Sequence, residues 1–170
     1  MLRSKGNYHE EFREALKEVK LLIRECSTCY TYTENEDECY YCKDAQRAND
    51  MFCVVEDPAD IQQLESSGMF KGRYHVLHGT ISPLDGVRPE DLRIRQLVQR
   101  IKDNEVPVKE VIIALDANLE GDTTALYLVK SLKEFNIKVS RIAHGVPIGG
   151  HIDYVDHRTL GKALENRILL

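Results

Sequence analysis

The pattern of apolar and polar positions predicts a chain in which short strands alternate with helices. Short, largely apolar runs predict strands over 52–55, 74–78, 111–115 and 139–143. Apolar residues at helical spacing predict helices over 8–25, 61–66, 90–103, 123–135 and 159–167. Strands that alternate with helices are typical of a mostly parallel sheet flanked by helices, so the predicted fold class is α/β.

Two of the predicted helices have outer faces with more than one interpretation. The helix over 8–25 has an apolar stripe, which is typical of a packing or dimerisation surface. The helix over 90–103 has a basic polar face, which is typical of a solvated surface and, less often, of a charged patch. The basic residues of that face are Arg93, Arg95, Arg100 and Lys102.

Acidic residues follow two of the predicted strands at the point where each strand ends. Glu56 follows one strand directly, and the loop after another contains Asp116, Asn118, Glu120 and Asp122. If the two strands are neighbours in one parallel sheet, Glu56 faces Asp116 and Glu120 across a small gap. Converging carboxylates suit a hard cation such as Mg²⁺. The alternative is that each carboxylate only stabilises a helix N-terminus.

Four of the five cysteines form two C-x-x-C pairs, Cys26 with Cys29 and Cys39 with Cys42. This spacing predicts a tetrahedral zinc site, and four sulfur ligands leave no open position, so the zinc is expected to be structural. A redox-active dithiol and a chance pairing are the alternatives. Cys53 lies inside a predicted strand and is interpreted as a small buried apolar residue.

Composition excludes several classes of function. The formal net charge of −5 gives no overall basic field, so nucleic-acid contact requires a local patch, an assembly or a partner. No apolar run reaches membrane-spanning length and no charged-then-apolar leader is found, which predicts a soluble, cytoplasmic protein. The G-x-x-x-x-G-K-[ST] spacing is absent, so ATP binding is disfavoured.

The pattern of acidic residues resembles that of the Toprim fold, which topoisomerases, bacterial primases and RecR proteins share. A Glu ends one strand, and a later loop reads DANLEGD over 116–122. Asn118 stands where a metal-binding Toprim enzyme has its second Asp, which removes one negative charge.

Two longer segments narrow the resemblance to the RecR family. YHVLHGTISPLDGVRPEDLRI over 74–94 is similar to the segment between the early Toprim strands of that family, and RIAHGVPIGGHIDYVD over 141–156 resembles its Walker-B-like C-terminal segment. In the latter, His151 and Asp153 replace a common Asp and Glu. The resemblance covers about 22–164. The family's N-terminal helix-hairpin-helix domain has no match, which suggests a truncated form or a natural short variant.

The resemblance implies a domain organisation and a set of cofactors. It divides the chain into a leading helix over 1–25, a four-cysteine zinc finger over 26–49, a Toprim domain over 50–143, and a Walker-B-like segment with a final helix over 144–170. The implied cofactor is structural Zn²⁺, and Mg²⁺ at the acidic site is left open.

The resemblance also implies a function. RecR proteins are non-enzymatic mediators of DNA repair and recombination that act with RecO to help load RecA on gapped single-stranded DNA. Glu56, Asp116 and Glu120 are then candidates for an acidic partner-binding site, together with Asn118 and Asp122 of the same loop. The net charge and the unmatched hairpin domain predict weak DNA binding by this chain alone and a homodimer, whereas the resemblance implies rings or dimers for the full-length family, with a tetramer as one such ring.

Two other functions compete with the mediator. A small magnesium-dependent Toprim nuclease or phosphoryl-transfer enzyme would use Glu56, Asp116 and Glu120 as metal ligands, but Asn118 and the lack of an obvious nucleophile disfavour it. A plain zinc-stabilised dimerisation module would differ from the mediator only in lacking the RecO contact.

Overall fold

The structure of the protein is a computed structural model that describes residues 7–168. The strands are β1 Ile23–Glu25, β2 Tyr32–Glu34, β3 Met51–Val55, β4 Arg73–Val76, β5 Glu110–Ala114 and β6 Lys138–Arg141. The helices are α1 Tyr8–Leu22, α2 Tyr40–Lys43, α3 Pro58–Ser66, α4 Ile94–Lys102, α5 Leu119–Leu132 and α6 His157–Glu165. Short 3-10 turns cover Pro89–Asp91, Lys133–Phe135 and Ile152–Tyr154. Across residues 7–168, no helix combines the length and the apolar character needed to cross a membrane.

The sheet confirms the predicted α/β class. Its four strands are all parallel, in the order β4-β3-β5-β6, and β1 and β2 form a separate antiparallel hairpin. Val55 at the end of β3 pairs with Val76 of β4 and with Ala114 of β5. The carboxyl ends of these three strands therefore lie together at one edge of the sheet, where ligands bind in open α/β folds.

Two apolar layers cover the sheet because alternate residues of a strand point to opposite faces. On one face, Phe52 packs with Leu97 of α4 and Leu128 of α5. On the other, Val55 packs with Ile61 of α3. Each of these buried aliphatic or aromatic side chains contributes about 2 kcal/mol of hydrophobic free energy. The layers fix α4 and α5 relative to the strand ends that carry the acidic residues.

The helix predicted over 8–25 ends at Leu22, because Ile23–Glu25 pairs with Tyr32–Glu34 in the hairpin. The predicted apolar stripe is present but α1 buries none of its residues. Phe12 is 43% exposed and Leu16 is 56% exposed. The described part of the chain therefore supplies no partner for this stripe.

Two other predicted boundaries change for local reasons. The strand predicted over 74–78 ends at Val76, since His78 has a left-handed φ of 60° that a strand does not accommodate. The helix predicted over 90–103 begins at Ile94, because the preceding residues form a 3-10 turn that starts at Pro89.

Four more predicted elements differ from the structure at one or both ends. The helix predicted over 61–66 begins at Pro58, after the N-cap Asp57, and the helix predicted over 123–135 begins at Leu119, after the N-cap Asn118. The remaining two predicted elements, over 139–143 and 159–167, are Lys138–Arg141 and His157–Glu165.

Candidate functional site

Glu56 and Asp116 lie at the edge where β3 and β5 end. Glu56 is half-buried, and Thr80 Oγ1 donates a hydrogen bond to Glu56 Oε1 at 3.4 Å. Burial raises the pKa of Glu56, and the negative charge of Asp116 raises it further. Asp116 itself is exposed. The two carboxylates thus repel each other at neutral pH, and a cation from outside would relieve that repulsion.

The neighbouring acids Asp57 and Asp60 serve the backbone. Asp57 Oδ1 accepts a hydrogen bond from the Ala59 amide at 2.9 Å, and Asp60 Oδ2 accepts one from the Asp57 amide at 2.9 Å. This capping box satisfies amide groups at the first turn of α3. Of the acids Glu56, Asp57 and Asp60, Glu56 therefore has no capping role.

Asn118 begins α5 and shapes the acidic loop. Its Oδ1 accepts a hydrogen bond from the Gly121 amide at 2.7 Å. A side chain at Gly121 would collide with the Asp116 carbonyl oxygen, so glycine is required at this close approach. The residue that replaces the second Toprim Asp is therefore an N-cap.

Asp122 is held by Arg141 of β6. Arg141 Nη1 donates to Asp122 Oδ1 at 2.5 Å, and Arg141 Nη2 donates to the Asp116 carbonyl oxygen at 2.9 Å. The hydrogen bond from Arg141 lowers the pKa of Asp122. One guanidinium thus ties both ends of the acidic loop to the adjacent strand, and Asp122 is neutralised by it.

The acidic residues predicted from the sequence therefore separate into two groups. Glu56 and Asp116 are brought together, and Glu120 lies in the first turn of α5. Asn118 and Asp122 have intramolecular partners. Within residues 7–168, the acidic side chains form no group of three at metal-binding distance, so this arrangement does not fit a Mg²⁺ site held by Glu56, Asp116 and Glu120.

The cysteine pairs converge next to the hairpin. Cys26 and Cys29 lie between β1 and β2, Cys39 is the N-cap of α2, and Cys42 lies within α2. Their four sulfur atoms all lie within 4.8 Å of one another. Zn–S bonds of about 2.3 Å place tetrahedral sulfur ligands about 3.8 Å apart, so the cluster has the size of a metal site.

The environment of the cluster also suits a metal. Cys26, Cys29 and Cys39 are buried, all four thiols are free, and the Cys39 amide donates to Cys26 Sγ at 3.3 Å. Hydrogen bonds from the other three cysteines lower the pKa of Cys26, whereas the hydrogen bond to Cys26 raises the pKa of Cys29 and of Cys42. Four sulfur donors in a buried site can hold a divalent metal such as zinc.

Arg100 and Arg93 lie in contacts that the sequence did not predict. Arg93 donates to Glu25 at 2.8 Å and stacks on Tyr30, while Arg100 donates to the Tyr74 carbonyl oxygen at 2.5 Å. The interpretation of this helix face as solvated is therefore wrong for these two residues. Arg95 is exposed as expected. The i to i+7 spacing of Arg93 and Arg100 indicated a shared helix face, but only tertiary packing shows what that face contacts.

Arg100 lies beside the cysteine cluster. Its guanidinium is 4.6 Å from the centre of the Phe52 ring, and its Nη2 is 4.0 Å from Cys42 Sγ. Burial lowers the pKa of Arg100, whereas negative charge on Cys42, Cys29 and Cys26 opposes that change. The cluster and this guanidinium are thus electrostatically linked.

Comparison with known proteins identifies the family. A family model described as the Toprim domain matches residues 50–143, and one described as RecR, C-terminal, matches residues 145–168. The chain is 53% identical to the Recombination protein RecR of Bdellovibrio bacteriovorus over 100% of this chain and 85% of that protein. The chain belongs to the RecR family. The α/β fold described above is accordingly a RecR fold, with a Toprim domain and a cysteine cluster near the N-terminus.

Two further relatives have the same name. The Recombination protein RecR of Syntrophotalea carbinolica is 46% identical over 98% of this chain and 82% of that protein. That of Streptomyces coelicolor is 48% identical over 92% of this chain and 77% of that protein. The resemblance predicted from the sequence to the RecR family is therefore confirmed.

Proposed function

We propose that this RecR protein is a non-enzymatic mediator of DNA recombination and repair that acts with RecO to help load RecA on gapped single-stranded DNA. Family membership supports the general role. The observation that carries the specific proposal is the pair Glu56 and Asp116, two acids of the strand edge that repel each other and have no basic partner within residues 7–168.

The proposed partner surface consists of Glu56, Asp116 and Glu120, shaped by Asn118 and Asp122. RecO is a basic, DNA-binding protein, so its positive side chains would relieve the repulsion between Glu56 and Asp116 on contact. Complementary charge of this kind steers association and fixes the register of an interface. Asn118 and Asp122 would act indirectly, because their side chains are used to hold the loop.

A nuclease is supported less well by the same residues. Metal-dependent phosphoryl transfer requires carboxylates that converge on a cation, and Asn118 occupies the position of one such ligand with its amide engaged in capping. Incubation of the protein with Mg²⁺ and labelled single- and double-stranded DNA tests this alternative. We expect no cleavage. Cleavage that is lost in Glu120→Gln would establish the nuclease instead.

We further propose that Cys26, Cys29, Cys39 and Cys42 hold a structural Zn²⁺. The size, burial and all-sulfur composition of the cluster support this ligand set. Metal analysis of the purified protein is expected to give one zinc ion per chain. Cys26→Ser should lose the metal and destabilise the hairpin, because metal binding free energy in small sites is folding free energy. Cys53→Ala, which changes a cysteine outside the cluster, should keep it.

The proposed assembly is a homodimer that by itself binds DNA weakly. The open apolar stripe on α1 supports self-association, and the net charge of −5 supports weak DNA binding. Light scattering should give the mass of a dimer, and a stable tetramer would contradict this. The proposed location is the cytoplasm, where thiols remain reduced.

A pull-down with RecO tests the partner proposal. Glu56→Lys and Asp116→Lys each place a positive charge in the proposed surface and should abolish capture of RecO. Glu105→Lys is the matched control, since Glu105 is exposed and precedes β5 at the opposite edge of the sheet. Equal capture by all four proteins would refute the acidic surface as the RecO site.

A further inference from the structure

Arg73 and Arg100 lie next to the cysteine cluster and approach it from the sheet and from α4. Arg73 is 8% exposed, and its Nη1 donates to the carbonyl oxygens of Tyr41 at 2.7 Å and Cys42 at 2.8 Å. Arg100 is half-buried, with its Nη2 4.0 Å from Cys42 Sγ. Both guanidiniums therefore converge on the last cysteine of the cluster.

These two arginines differ from the other arginines packed into the fold. Arg47, Arg93 and Arg141 each lie within 4.0 Å of a carboxylate. In the part of the chain that the structure describes, Arg73 and Arg100 have no carboxylate partner at that distance; their contacts are carbonyl oxygens, an amide, an aromatic ring and a sulfur. A buried charge without a counter-charge is strongly destabilising, by several kcal/mol.

The cysteine cluster can supply the missing negative charge. A divalent cation bound by four thiolates leaves two negative charges uncompensated. Two guanidiniums beside the cluster would balance that charge. No carboxylate is then needed, which accounts for the absence of one near Arg73 and Arg100 within residues 7–168.

We propose that Arg73 and Arg100 are the counter-charge of a metal-bound tetrathiolate at Cys26, Cys29, Cys39 and Cys42, and that they fasten the metal site to the Toprim domain. The inference rests on the metal proposed above. The groups that neighbour metal ligands commonly tune affinity by about 10- to 100-fold. Arg73 and Arg100 are therefore positioning residues for the metal, and Arg73 also anchors the backbone of α2 to β4.

The position of Arg100 gives it a second effect, on access to the metal. An open cleft of about 750 Å³ borders the cluster and is lined by Cys42, Arg73 and Arg100, among other residues. Protons and competing cations can approach the sulfur atoms through this cleft. Positive charge there repels protons and cations and lowers the electron density on Cys42 Sγ. Loss of the charge should therefore speed metal release and change the metal–sulfur spectrum.

The test compares the whole protein with Arg100→Gln, Arg100→Lys and Arg95→Gln. Arg95 is an exposed arginine on the same helix, and Arg100→Lys keeps the charge without the planar fork. Zinc release to a chromogenic chelator is followed in time, and the sulfur-to-metal charge-transfer band is recorded after substitution with Co²⁺. We expect Arg100→Gln to release zinc about tenfold faster and to shift the band to longer wavelength, with Arg100→Lys between it and the wild type.

The outcomes separate this inference from the metal proposal. A wild-type protein that binds neither zinc nor cobalt overturns both. If the wild type binds metal but Arg100→Gln releases zinc as slowly as Arg95→Gln does, only the role of the arginines is overturned. The same holds if Arg100→Lys releases zinc as fast as Arg100→Gln does. If Arg100→Gln does not fold, the same zinc-release and cobalt measurements on Arg73→Gln and Arg73→Lys test the role of the arginines.

Discussion

Glu56 lies close enough to Asp116 that the negative charge of Asp116 raises the pKa of Glu56, in addition to the larger effect of burial. Val55 and Ala114, which pair in adjacent strands, lead the chain to these two residues. Repulsion between acids held by a rigid sheet costs folding free energy, and such strained charges are characteristic of functional sites. The arrangement is one that a basic partner would stabilise.

Removal of the charge on Glu56 should stabilise the protein at neutral pH. Folding raises the pKa of Glu56, so the protonated side chain favours the folded state. This contribution to the free energy of unfolding is complete below the ordinary pKa of 4.5, and it is lost as the pH rises through the pKa of the folded state. Glu56→Gln should therefore raise the free energy of unfolding at pH 7 by up to about 1 kcal/mol. Urea denaturation at pH 7 and pH 4 measures this, and a gain that persists unchanged at pH 4 would contradict the charge argument.

Loss of Arg141 should weaken RecO binding although it removes a positive charge from the neighbourhood of the acidic loop. Arg141→Ala frees Asp122 and the Asp116 carbonyl oxygen, so the loop loses its fixed shape, and the free energy of unfolding should fall by about 1–2 kcal/mol. Lys138→Ala removes a charge from the same strand and is the control. Binding that becomes tighter in Arg141→Ala would indicate that net charge alone matters.

The close approach at Gly121 predicts a contrast between two glycines in helices. Gly121→Ala should destabilise the protein by about 1–3 kcal/mol, because the new Cβ would collide with the Asp116 carbonyl oxygen. Gly161→Ala in α6 meets open space and should stabilise its helix by about 0.5–1 kcal/mol. Thermal denaturation of both variants checks the prediction, and equal effects would show that the loop relaxes.

Burial of His75 predicts a loss of stability in acid. Burial lowers the pKa of His75 from 6.5 to about 3, so the unfolded chain binds a proton that the folded chain excludes. The contribution of His75 to the free energy of unfolding should fall by roughly 1 kcal/mol for each pH unit between these values as the pH decreases. His75→Gln should flatten this dependence in urea denaturation, and His157→Gln, at an exposed position, should not. Parallel pH profiles for all three proteins would refute the assignment.

The apolar pattern was sufficient to predict the sheet, since short apolar strands buried on both faces leave a strong signal at residues such as Val54 and Ile113. The cysteine spacing likewise predicted a cluster that the structure brings together. Element ends were predicted less well, because they depend on single contacts: Asn118 caps α5, and Ile23 joins a hairpin that follows α1.

The roles of individual polar residues were harder to predict than the fold. Asp122 and Glu120 are both acids in the first turn of α5, and only the position of Arg141 on β6 distinguishes them. The sequence pattern places Arg95 and Arg100 on the same helix. In the structure Arg100 reaches Cys42, whereas Arg95 is exposed. Such differences arise from contacts between distant segments, which a local pattern does not contain.

The affinity of RecO for the protein, measured by titration at low and high salt, tests the proposed partner surface most directly. Glu56→Lys should weaken binding at low salt by at least tenfold, or about 1.4 kcal/mol, and the salt dependence should diminish with the lost charge pair. Glu105→Lys should bind like the wild type. Affinity that is the same for Glu56→Lys and Glu105→Lys at both salt concentrations would contradict the claim that the acids at the ends of β3 and β5 form the site for RecO.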